Sequence, residues 1–322
     1  MPLPANTLSL VADIGGTNTR VALAEGRSLR PDSIRRYRNA EFPGLETVLR
    51  RYIEEEGGVD CAGACVAAAG PVRDGVAHMT NLDWTIEPAM LARATGAERV
   101  AILNDLQAQG HALGALAPES LRVIVEGPTA PDHASKLVVG AGTGFNAAPV
   151  HEAPGGRIVA ASECGHVNMP IRTDADLRLA RFVETAHGFP GVEDVLAGRG
   201  LERLYAFAAA ETGTPAEKAA AEIMAALDAG SDPLAVEAAR LWVRLFGAEV
   251  GNLALIHLPF GGIYLIGGVA RAFTAHLAPL GFAEAFRDKG RFAGFMQNFP
   301  IWVIEDDYAA LTGCAAYLAG LA

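Results

Sequence analysis

Lysine is nearly missing from this chain: among 322 residues only Lys136, Lys218 and Lys289 carry that side chain. None of them completes a G-x-x-x-x-G-K pattern, so a P-loop is excluded. Any phosphate must then be met by backbone N–H groups, hydroxyls or a metal. Basic residues as a class are outnumbered, leaving a formal charge of -11. They form no block; Arg35-Arg36 and Arg50-Arg51 read as solvated faces. A nucleic-acid surface needs clustered cations, so no nucleic-acid partner is expected. Cysteine is scarce as well. Cys61, Cys65, Cys164 and Cys314 make no C-x-x-C pair and no zinc spacing with histidine. Cys61 and Cys65 lie in an Ala/Val-rich segment, where a thiol is a small hydrophobe. No apolar run approaches a membrane span, and Met-Pro-Leu-Pro-Ala-Asn-Thr at the start has no basic n-region. The expectation is a cytoplasmic protein in a reducing compartment, with no membrane partner.

What is present is a globular composition, 51% hydrophobic and 20% charged. The length exceeds a comfortable single core, which favours two domains. Residues 8–25, with one apolar run ending at Asp13 and a second leaving at Val21, predict a hairpin, with a further strand near Ile34–Tyr37. Leu45, Val48, Leu49, Tyr52 and Ile53 recur at helical spacing over 44–56. Strands at 60–69, 74–80 and 99–103 and a helix at 87–95 complete a first α/β layer with a mixed sheet. A second unit repeats the scheme: strand 136–140, a Gly/Thr turn, and an apolar run to Val150 form a degenerate copy of residues 8–23. Helices follow at 173–187, 199–211 and 233–257, the last with Leu234, Leu241, Leu245, Ala248 and Leu255 on one side. Strands at 263–266 and 300–305 and a helix from Tyr308 to Leu321 close the chain. Short linkers fall around Gly127–Pro131 and Thr212–Pro215.

Three strands run into glycine turns: Gly15-Gly16-Thr17-Asn18, Gly142-Thr143-Gly144 and Gly267-Gly268. Such turns offer unblocked N–H groups and hydroxyls to a phosphate chain. Taken singly they are ordinary steric punctuation. Together, with Asp13 at the first strand's end, they point to a nucleotide cleft. Asn104-Asp105 follows another strand end. By position, Asp105 caps the helix beginning near Leu106; a carboxylate there is equally able to accept a hydroxyl proton. Glu163 and His166 are three apart in a turn and suit a polyol, since they combine acceptors with a donor. Glu184 and His187 share that spacing but lie on the face of an amphipathic helix.

Asp13-Ile14-Gly15-Gly16-Thr17-Asn18, Gly140-Ala141-Gly142-Thr143-Gly144 and Ile266-Gly267-Gly268-Val269 resemble the phosphate-1, phosphate-2 and adenosine motifs of the sugar-kinase/heat-shock-70/actin superfamily. Within it the chain is similar to the bacterial glucokinase family of the hexokinase group. The likeness extends over nearly the whole sequence, including Ala161–His166 and Asp288–Phe292. It implies an α/β fold of two ribonuclease-H-like (actin-like ATPase) lobes with mixed sheets around a central cleft. The lobes would comprise 1–106 plus about 306–322, and 107–305. It implies transfer of the γ-phosphoryl group of ATP to the 6-hydroxyl of D-glucose, with Asp105 as general base. Sugar contacts would come from Asn81, Asn104, Asp105, Glu163, His166 and Glu193, the last in Gly191-Val192-Glu193-Asp194-Val195. Trp84 lies in the same loop as Asn81, as a sugar neighbour or a core anchor. Asp13, Gly15, Gly16, Thr17, Asn18, Gly142, Thr143, Gly144, Gly267 and Gly268 would receive the nucleotide, and Asp13 would hold Mg2+ through water. A homodimer is also implied.

Two departures stand out. The phosphate-2 turn runs on as Gly144-Phe145-Asn146, where the family commonly has Gly-Leu-Gly; asparagine's tolerance of positive φ would preserve the bend. Cys164 replaces a frequent glycine, and its thiol would narrow the sugar pocket. A kinase for another hexose (mannose or an N-acyl amino sugar), a polyphosphate user, and a non-catalytic sugar-responsive binding protein are the alternatives.

Overall fold

The computed structural model describes residues 8–79 and 82–321. Asn81 lies outside them. The chain forms two compact units, one of residues 1–120, 153–161 and 306–322, the other of 121–152 and 162–305. The first begins with β1 (Leu8–Ile14) and β2 (Asn18–Glu25), an antiparallel hairpin in which Asp13 faces Arg20. β3 (Ser28–Leu29) and β4 (Arg35–Arg38) both pair with β2. After α1 (Leu45–Glu55), β5 (Gly63–Ala68) lies parallel to β1. A small sheet of β6 (Val72–Arg73), β7 (Val76–His78) and β8 (Thr85–Ile86) and helix α2 (Pro88–Thr95) intervene. β9 (Arg99–Asn104) then adds in parallel to β5 and runs directly into α3 (Asp105–Ala112).

Side-chain alternation along β1 sorts the core into two layers. Leu10, Ala12 and Ile14 pack with Val48, Leu49 and Tyr52 of α1 on one face. On the other, Val11 joins Ala22, Ala24, Cys65 and Ala67. Cys61 and Cys65 are both buried, as small hydrophobes should be. Trp84 is 9% exposed and belongs to the first of these layers, so it serves as a core anchor.

The second unit repeats this plan. β10 (Leu121–Val125) precedes β11 (Lys136–Ala141) and β12 (Phe145–Ala153), which form the second hairpin. β13 (Gly156–Val159) belongs to the first unit, where Arg157 donates to the carbonyls of Gly110 and His111 at 3.1 Å. Helices α4 (Asp174–His187), α5 (Glu193–Leu196), α6 (Gly198–Glu211), α7 (Ala220–Ala229) and α8 (Pro233–His257) follow. β14 (Ile263–Ile266) lies parallel to β11. Short helices α9 (Gly268–Ala272), α10 (Thr274–Leu277) and α11 (Phe282–Arg287) lead to β15 (Ile301–Ile304), parallel to β14. Helix α12 (Ala309–Gly320) returns to the first unit, placing Leu311, Cys314, Ala315 and Leu318 against Val11 and its neighbours.

The order β2-β1-β5-β9 in one sheet matches β12-β11-β14-β15 in the other. The repeat expected from residues 8–23 and 136–150 thus extends to whole sheets. Helix α8 differs from its expected face. Leu245 is buried, but Leu234, Leu241, Ala248 and Leu255 sit at the margin. The buried stripe instead carries Trp242, which stacks on Phe273 at 4.1 Å, and Phe246 against Phe282 at 5.5 Å. Aromatic rings bury more area than leucine, and they decide the rotation of the helix.

Candidate active site

In the first unit the ends of three strands bring the relevant groups together. Asp13 is the penultimate residue of β1, and Ile14 pairs with Ala68, which pairs with Asn104. Two strand spacings, roughly 10 Å, therefore separate the backbones beside Asp13 and Asp105. Asn104 is the N-cap of α3: its Oδ1 accepts the Leu106 N–H at 3.0 Å, and Gln107 Oε1 accepts the Asn104 N–H at 3.1 Å. Its amide also donates to the Gly70 carbonyl at 3.0 Å. Capping thus falls to Asn104 rather than Asp105. The Asp105 carboxyl accepts the Leu106 N–H at 2.9 Å, and its own backbone N–H and the Asn104 side chain also hydrogen-bond to it. Burial pushes its pKa up to about 6; the Leu106 N–H opposes the rise and the Asp13 charge adds to it.

Asp13 is itself pushed upward by burial, against the pull of Arg20 Nη1 at 3.4 Å. The turn beyond it is tight, with the Gly15 N–H donating to the Asn18 carbonyl at 3.0 Å. Thr17 is exposed at its tip. Asn39, 2% exposed, holds this turn from behind. Its amide donates to the Gly15 carbonyl at 2.8 Å, its backbone N–H to Thr17 O at 2.9 Å, and its Oδ1 accepts the Thr19 hydroxyl at 2.8 Å. Nothing in the sequence pattern singles out Asn39 or Arg20. Both act through residues that are distant along the chain.

In the second unit a continuous series of contacts joins the remaining candidates. Gly142 closes its own turn, donating to the Gly144 carbonyl at 2.9 Å, and accepts the Gly198 N–H at the start of α6 at 2.8 Å. Gly267 lies against the same turn with φ 97°; a Cβ there would stand 2.3 Å from the Ala141 carbonyl oxygen. Only glycine fits. Thr143 is exposed between these glycines. Gly144 is glycine for another reason: its Cβ would stand 2.6 Å from Glu193 Oε2. That same oxygen accepts the Phe145 N–H at 2.9 Å. Glu193 thus rests on the 142–144 turn itself, a contact its sequence neighbourhood does not reveal.

Glu163 and His166 are exposed, with His166 Nε2 3.9 Å from Glu163 Oε2. The segment between them is a single 3-10 turn, Cys164–His166. Asn146 does not take the positive φ expected of it. Among the described residues the non-glycine cases are Asp74 and Leu258. Asn146 is extended and paired with Gly140 in the hairpin, with its side chain turned to the Glu163 loop. Cys164 packs against the hydrophobic core, and burial raises its thiol to about 11, so it is protonated at neutral pH. Among the described residues no cluster of three or more His, Cys, Asp or Glu side chains could cage a metal. Among them too, no helix is long and apolar enough to cross a membrane.

Paired sheets of this order, each opening on a hairpin with a glycine turn, define an actin-like ATPase fold of the sugar-kinase type. A family model described as glucokinase matches residues 10–321. The glucokinase of Saccharophagus degradans is 34% identical over 313 residues, covering 96% of this chain and 97% of that protein. That of Rhizobium leguminosarum bv. trifolii is 32% identical over 317 residues, covering 98% and 92%. A crystal structure of glucokinase from an Antarctic psychrotroph superposes with a TM-score of 0.86 at 29% identity, over 97% of this chain and 98% of that one. The chain belongs to the glucokinase family.

Proposed function

We propose that the protein phosphorylates D-glucose at its 6-hydroxyl with ATP, giving glucose 6-phosphate and ADP, and that Asp105 is the general base. The observation that carries the base assignment is the environment of Asp105. A carboxyl raised to about 6 yet held by the Leu106 N–H and the Asn104 side chain is charged at neutral pH and still basic enough to take a proton. The sugar's 6-oxygen attacks the γ-phosphorus, its proton passes to Asp105, and the bond to the β-phosphate oxygen breaks. Phosphoryl transfer needs positioning and charge stabilisation more than covalent chemistry.

Glu163, His166 and Glu193 hold the sugar hydroxyls, with Asn104 beside Asp105 as a further sugar neighbour. The turns at 15–18 and 142–144 receive the phosphates, and Gly267-Gly268 lets adenosine approach the backbone. Asp13 suits Mg2+ bound through water, because its buried carboxyl is a hard oxygen donor only partly neutralised by Arg20. Held there, such an ion would supply charge neutralisation on the transferred group.

Turnover by the purified chain with Mg-ATP across a hexose panel tests the reading. Glucose should show a kcat/KM at least about tenfold above mannose and N-acyl amino sugars, one well-read hydroxyl being worth that much. Phosphorus NMR should identify the 6-phosphate. A panel in which another sugar leads would overturn the substrate assignment.

A further inference from the structure

Glu163 stands on an exposed loop, yet the backbone on both sides of it is tied to one side chain. Asn146 Oδ1 accepts the Cys164 N–H at 3.2 Å and the Ser162 hydroxyl at 3.0 Å, besides the Ala147 N–H at 2.9 Å. Asn146 Nδ2 donates to the Ser162 carbonyl and stands 3.5 Å from Glu163 Oε2. The asparagine therefore brackets Glu163 before and after, and also reaches its carboxylate. No other residue type of this size presents an acceptor and a donor on one planar group. The Cys164 thiol closes the bracket from the core side, 3.5 Å from Asn146 Oδ1. One amide group, rooted in the strand that leaves the 142–144 turn, thus fixes the backbone on both sides of a 61% exposed carboxylate.

We propose that Asn146 is a positioning residue for sugar recognition, orienting Glu163 toward the hydroxyls it binds. This rests on the reading of Glu163 as a sugar ligand. A carboxylate left to its own rotamers gives up conformational freedom each time sugar binds; one held in advance has already done so. Loss of Asn146 should therefore weaken sugar capture without touching phosphoryl transfer or the nucleotide.

Steady-state kinetics of the full chain, with glucose and ATP varied in turn, test this. Asn146→Ala should raise KM for glucose roughly tenfold while kcat and KM for ATP stay within about twofold. Asn146→Asp keeps the acceptor but puts a negative charge beside Glu163 in place of the donor, and should raise KM for glucose at least as far. This second variant tests the proposal even if alanine impairs folding. In a Glu163→Ala background, Asn146→Ala should add less than about twofold, because its effect runs through that carboxylate. Independent, multiplicative effects would overturn the proposal, as would equal rises in KM for glucose and for ATP. So would a wild-type KM in Asn146→Ala when Glu163→Ala raises it. Unchanged KM in Glu163→Ala itself would overturn both, the fault then lying with the sugar reading of Glu163.

Discussion

Burial lifts both Asp105 and Asp13 above the ordinary carboxylate range. Burial raises Asp105 to about 6, and the nearby Asp13 charge adds to the rise. The protonated form cannot accept the sugar's proton, so activity is lost as pH falls through that value. kcat/KM for glucose should be flat above pH 7 and fall about tenfold per unit below pH 6. Asp105→Asn should abolish that limb together with the activity. The sign for stability is opposite. A carboxyl raised on folding binds its proton more tightly in the native state, so its charge weighs against the fold above pH 6 and ceases to do so below its unfolded value. A pH–rate profile with no inflection between pH 5 and 7 would contradict the assignment of the base.

Helix α8 illustrates what an element can tolerate. It ends at Leu258, a leucine with φ 48° and ψ 57°, where the left-handed conformation favours glycine. Leu258 is 42% exposed, so few contacts are lost on truncation. Leu258→Gly should stabilise the protein by about 0.5–1 kcal/mol, the relief of backbone strain exceeding the added freedom of the unfolded chain. Thermal unfolding should shift upward by about 1–3 °C, with kinetics unchanged. A lower Tm would show that the leucine's packing matters more than its backbone.

At this scale much of the fold was legible. Both hairpins, α1, α8 and the central strands of both sheets announce themselves by period and by their glycine turns. β10 and the helices α7, α9, α10 and α11 do not. They are short, or, like α7, alanine-rich without a distinct apolar stripe, and tertiary packing rather than pattern decides them. The site divides the same way. Asp13, Asp105, Glu163 and the glycine turns are visible as residue types at strand ends. Asn39 and Asn146 are not, because each acts by hydrogen bonds to partners about 16 to 24 positions away. The α8 stripe was misread for a related reason: spacing finds every leucine, but only packing shows that Trp242 and Phe246 outrank them.

As a whole the molecule combines an acidic surface with two units of one plan, each ending its central strands at a glycine turn. With three lysines the chain has few cations of its own to offer a nucleotide, and on the proposed reading a bound Mg2+ would supply the neutralisation. Duplication explains why the glycine turns recur, while Glu163 and Glu193 occur in one unit and Asp105 in the other. Everything then turns on whether Asp105 moves a proton or merely braces α3. Comparing Asp105→Ala with wild type by Mg-ATP turnover and by calorimetric glucose titration separates these roles. The account predicts a kcat lower by roughly a hundred- to ten-thousand-fold with glucose affinity preserved within about threefold. A kcat within about tenfold of wild type would contradict it.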